Sequence, residues 1–77
     1  MTSRNHISHG SPAALREFIA ENMSLAAAHA ELSCTYASLG DDKGLEYAFQ
    51  CFAAHAKAAL STLPDLKAAV SEQKGGR

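Results

Sequence analysis

Cys51 and His55 stand four residues apart. On a helix that spacing sets two side chains one above the other. Thiolate and imidazole are zinc ligands, so the pair is half of a tetrahedral site. A closed site needs two more donors. Cys34 and His29 are of the right type, but neither is clearly placed to complete the set within one chain. A symmetric pair of chains would double Cys51 and His55. Cysteine at a helix-packing position otherwise acts as a small buried hydrophobe, and no metal ligand is assigned. His6 and His9 form at most a weak chelating pair and read as solvated side chains.

Cys34 beside a histidine would suggest a nucleophile and its base. The sequence offers no oxyanion-hole loop and no glycine-rich phosphate cradle to go with them. His29 lacks an orienting carboxylate, because Glu17, Glu21 and Glu31 fall on other faces of its helix. No catalytic residue and no cofactor are assigned, and the expectation is a non-enzymatic protein. Asn22 and His29 carry a different meaning. Both sit where an apolar seam would place leucine, and a polar residue there can fix register and partner number at some cost in stability.

That seam is the main organising pattern. Leu15, Phe18, Asn22, Leu25, His29, Leu32, Tyr36 and Leu39 recur in alternating steps of three and four. After a break at 40–44, Leu45, Phe49, Phe52, Ala56, Ala59, Leu63, Leu66 and Val70 resume the rhythm. This is the period of helices packed along one stripe. Ser11 followed by Pro12 suits a helix start, Gly40 a left-handed stop, and Asp41 or Asp42 the cap of a second helix. Gly44 falls in that helix's first turn, where it costs little. Pro64 removes a backbone donor and crowds the preceding turn. It predicts either a kink at 60–64 or a short third helix over 64–73.

The expected fold is all-α: an antiparallel helical hairpin with a short or kinked C-terminal extension. Residues 1–10 read as a disordered tail, 11–73 as the single domain and 74–77 as a frayed end. In an antiparallel pair, facing residues have a nearly constant sum of numbers. A tight turn gives a sum of about 81, setting Leu32 against Phe49 and His29 against Phe52. A looser turn gives about 88, setting Tyr36 against Phe52. Either register gathers Tyr36, Phe49 and Phe52 into an aromatic cluster.

Ile19, Met23, Ala26, Ala30 and Ala37 form a second row, matched by Tyr47, Cys51, Ala54 and Ala58. A lone hairpin would leave these wet, and contiguous exposed apolar surface marks interfaces. Two hairpins packed as a four-helix bundle would cover them. The alternative is a marginal monomer with 64–73 folded back over one row. On the bundle reading, Ala26→Glu breaks the association and spares the hairpin.

Composition narrows the partners. Seventy-seven residues make one small domain, and 47% of them are apolar, which argues against general disorder. A net charge of −1 provides no basic field for nucleic acid. No run approaches the ~20 apolar residues of a membrane span, and the N-terminus lacks the apolar core of an export signal. Two cysteines without such a signal suggest reduced thiols in the cytoplasm, and the alanine-rich helices have a bacterial cast. The expected function is protein–protein contact, as a scaffold, adaptor or self-associating module, with itself or a partner helix. The alternative is a small regulator holding a metal or ligand between its helices through His29, Cys34, Cys51 and His55.

Overall fold

Ser11 opens the first helix, as the sequence leads one to expect. Its backbone is extended, with φ −86° and ψ 122°, and its Oγ accepts the Ala14 N–H at 3.2 Å. The computed structural model describes residues 11–75, and the proposed tail at 1–10 lies outside them. Helix α1 runs Pro12–Leu39, 28 residues with proline in its first turn. Gly40 ends it at φ 72° and ψ 20°. Its N–H donates to the Ala37 carbonyl at 3.1 Å, and the Asp41 N–H donates to that of Tyr36 at 3.0 Å. Those two bonds satisfy carbonyls the helix leaves open.

Asp41 then caps helix α2, Asp42–Gly75. Its Oδ1 accepts the Gly44 N–H at 2.9 Å, and its carbonyl accepts that of Leu45 at 2.9 Å. Two residues therefore suffice to reverse the chain. Helices α1 and α2 pack against each other as an antiparallel hairpin.

Pro64 does not divide α2. The helix continues through it for 34 residues in all, so there is no separate third helix over 64–73. Pro64 is exposed, and so is Leu60, whose carbonyl loses its usual donor. That carbonyl belongs to the wet side of α2, where water can replace the missing bond. One turn earlier, Ser61 and Thr62 both donate their hydroxyls to the Ala58 carbonyl, at 3.2 and 2.8 Å. Such back-bonding is known to bend helices slightly.

The helices meet, but through a different row of side chains from the leucine stripe. On α1 the buried and half-buried positions are Pro12, Ala14, Leu15, Ile19, Asn22, Ala26, His29, Ala30, Ser33 and Tyr36. On α2 they include Leu45, Ala48, Phe52, His55, Ala59, Thr62, Leu66 and Ala69. The 3-4 rhythm is intact, and its phase is turned toward smaller residues. Ala48 is 0% exposed and Ala26 1%, whereas Phe49 is 57% exposed and Leu32 sits at the surface. Leu32 and Phe49 are therefore not the central contact.

The register brackets the tight-turn value: Asn22 meets His55, a sum of 77, and His29 stacks on that same ring instead of on Phe52, a sum of 84. Phe49 and Phe52 do meet edge to face, with ring centroids 6.0 Å apart. Tyr36 packs elsewhere, against the backbone of Gly44. A Cβ at Gly44 would lie 2.6 and 2.7 Å from two Tyr36 ring carbons and 2.8 Å from Asp41 Oδ2.

Helix propensity alone gives Gly44→Ala a gain of about 1 kcal/mol. The ring contact reverses the sign: a loss of about 1–3 kcal/mol is expected from overpacking. Chemical denaturation checks this, with the same substitution made beside Tyr36→Leu becoming neutral or stabilising. Ala26→Glu also changes meaning. It buries a carboxylate in the hairpin seam and should abolish helicity by circular dichroism instead of releasing an intact monomer.

Candidate protein interface

Close approach along the alanines forces the bulky side chains outward. Alanine projects only a methyl group, so the helices come together where Ala26, Ala48, Ala59 and Ala69 line up. Leu15, Ile19, Leu45, Phe52 and Leu66 are buried or half-buried along it, and the other large apolar side chains stand beside it. Among the described residues, nine large apolar side chains are exposed and no large side chain is fully buried. They divide between the two broad faces of a slab whose principal extents are 56 × 25 × 13 Å.

One face is a ridge. Phe18, Leu25, Leu32 and Leu39 are exposed at seven-residue intervals along α1. Helical geometry places Tyr47, Cys51, Ala54 and Ala58 of α2 on the same side. The Tyr47 hydroxyl is held above its ordinary value, chiefly by its hydrogen bond to Cys51 and then by the charge of that thiol once ionised. Burial and Tyr36 add to the shift.

The other face is concave. A cavity of about 350 Å³ opens between Ile19 and Met23 of α1 and Ala56, Ala59, Leu60 and Leu63 of α2. A second of about 260 Å³ lies toward the turn, lined by Ala30, Ser33, Cys34, Phe49 and Phe52. Of the expected second row, Ile19, Met23 and Ala30 lie here. Ala26 belongs to the seam, and the residues opposite are Phe49, Leu60 and Leu63 instead of Tyr47 and Cys51. The contribution of α2 to the seam was visible in the sequence as small residues at 48, 59, 62 and 69.

The polar residues of the seam gather at its middle. Asn22 donates from Nδ2 to the Phe18 carbonyl at 3.0 Å, which turns its Oδ1 toward His55 Nδ1 at 3.3 Å. His55 is then the donor of that bond. Its ring stacks on His29, with centroids 5.4 Å apart and planes 16° apart. Imidazole lone pairs lie in the ring plane, so stacked rings do not aim them at a common point. Cys51 lies beside Tyr47 and Cys34 lines the smaller cavity. The four donors named from the sequence are thus spread over the seam and both faces. Among the described residues, no cluster of three or more His, Cys, Asp or Glu side chains is placed to hold a metal ion. No described helix is long and apolar enough to cross a membrane.

No protein-family model, curated protein or solved structure matches this chain.

His29 Nδ1 is buried without a hydrogen-bond partner. An unpaired buried nitrogen costs about 1–3 kcal/mol, so His29→Leu should leave the hairpin as stable or more stable by urea denaturation. His55→Leu removes the acceptor's partner from Asn22 and should be less favourable than His29→Leu. The reverse order would show that His29 is the anchored ring. For Tyr47, Cys51→Ala should bring phenolate formation down toward that of an unhindered tyrosine, read from the ring carbons by NMR.

Proposed function

We propose that this protein works through contact between its apolar faces and other helices, as a non-enzymatic scaffold, adaptor or self-associating module. One observation carries the reading: the side chains able to supply most hydrophobic free energy stand outside the hairpin. Fully burying a leucine or phenylalanine yields about 1.5–3 kcal/mol, against ~0.8 kcal/mol for an alanine methyl. The seam therefore uses the weaker residues and leaves the stronger ones for another surface. Exposed apolar patches of this extent mark contact sites, and anchors at seven-residue spacing suit helix-against-helix recognition. The alternative, a metal or ligand held between the helices by His29, His55, Cys34 and Cys51, has less behind it, because these groups do not converge.

In-cell photocrosslinking tests the proposal. A benzophenone amino acid placed at Leu32, Phe49 or Leu60 should give discrete protein adducts, whether with another copy or a different chain. At Ser24, on the solvent side of α1, it should give none. Absence of discrete adducts at all three apolar positions would contradict the contact function.

A further inference from the structure

Among the described residues, the concave face carries charge only at its two ends. Side chains seven residues apart share a row along a helix. On α1 the row of Met23 and Ala30, which line the two cavities, begins with Arg16. On α2 the row of Leu60 runs on to Lys67. Arg16 and Lys67 have a residue-number sum of 83, as do Met23 and Leu60. The two cations are therefore level across the groove, one turn beyond Ile19 and Leu63 of the larger cavity, and both are exposed.

The acids of that end belong to other sides. Glu21 falls between Phe18 and Leu25 on the ridge, and Glu17 shares a row with Ser24 on the solvent side. Asp65 and Glu72 continue the ridge row of Cys51 and Ala58. At the turn the sign is reversed. Asp42 shares the row of Phe49 and Ala56, and Glu46 shares that of Leu60.

We infer that this groove binds a long-chain carboxylate, its head held by Arg16 and Lys67 and its chain laid toward the turn over the larger cavity. The guanidinium fork takes a carboxylate through two parallel hydrogen bonds, and the ammonium adds a point charge. A chain laid the other way would set its head against Asp42 and Glu46. An apolar recess of about 350 Å³ with a few polar groups at one end has the form of a small-molecule site.

Shape and charge disfavour larger occupants. A recess between helices packed through alanine is narrower than a helix of about 10–12 Å. An alkyl chain sinks into it, whereas a helix rests on Met23 and Leu60. An anionic bilayer would meet Asp42 and Glu46 together with the cations. From Arg16 to Ala30, in the lining of the smaller cavity, is about 21 Å along α1. That is close to the length of an extended hexadecanoate, and dodecanoate stops short of it. The inference goes beyond helix contact, which the ridge can make by itself.

Methyl and aromatic NMR of the purified chain, titrated below the micelle-forming concentration of each probe, tests the site. Dodecanoate should shift Ile19, Met23, Leu60 and Leu63 saturably and leave Leu25 and Leu32 on the ridge unmoved. Hexadecanoate should also shift the Phe49 ring. Arg16→Gln combined with Lys67→Gln should weaken dodecanoate roughly tenfold, the scale of two exposed charge pairs. Helicity should stay unchanged in that variant, since both side chains lie outside the seam. Dodecyltrimethylammonium, with the same tail and a cationic head, should bind more weakly than dodecanoate.

Equal binding of the two heads, wild-type affinity in the double variant, or ridge shifts as large as those of the groove would overturn the inference. So would the absence of saturable binding, whether the groove stays empty or a second copy or a partner helix already covers it. Binding to vesicles of anionic phospholipid without binding of free dodecanoate would overturn it as well. Photo-adducts report on the contact function separately, so either reading can fail while the other stands.

Discussion

The close approach of two backbones along a line of alanines governs this structure. Ala48 has no exposed surface, and Ala26, Ala59 and Ala69 have almost none. A methyl group cannot hold two helices apart, so the backbones themselves form much of the contact. Nine of the larger apolar side chains are displaced to one side or the other. The burial thus gained is modest, about 0.8 kcal/mol for each methyl, and small domains have little stability to spare. The fold is therefore tied to whatever covers its flanks.

The turn serves the same constraint. A two-residue reversal at Gly40 and Asp41 brings the helices together at once, and Tyr36 lies flat on Gly44 because nothing projects from that position. At mid-seam the polar group of Asn22, His55 and His29 interrupts the alanines. Its hydrogen bond exists in one register only, and sliding α2 by one turn would separate Asn22 from His55. The cost of the unpaired His29 nitrogen is consistent with residues retained for alignment and not for strength.

Much of this was legible beforehand. Ser11-Pro12, Gly40 and Asp41 fixed the helix ends because each has a local chemical role independent of tertiary context. The hairpin and its approximate register followed from the length of the turn. The seam was misread by part of a helical turn, and the reason is physical. Leu15, Asn22, His29, Leu45, Phe52, Ala59 and Leu66 belong both to the leucine stripe and to the true seam, so both rows share one period. Choosing between them by side-chain size favours Leu25, Leu32 and Phe49, whereas close packing favours Ala26, Ser33 and Ala48. Pro64 predicts a kink or a separate third helix because its cost is normally counted for a buried backbone. On the exposed side of α2 that cost falls to water. The cavities could not be read at all, since they depend on the rotation of one helix against the other.

The most direct test sets one seam alanine against its bulky neighbour. Ala48→Leu and Phe49→Ala can be compared by chemical denaturation at concentrations low enough for a single chain. If the alanine seam holds the hairpin together, adding three carbons at Ala48 costs about 1–3 kcal/mol or more by overpacking. Removing the Phe49 ring then costs clearly less. The opposite order, with Phe49→Ala the more damaging and Ala48→Leu tolerated, would show that the leucine and phenylalanine stripe forms the true seam.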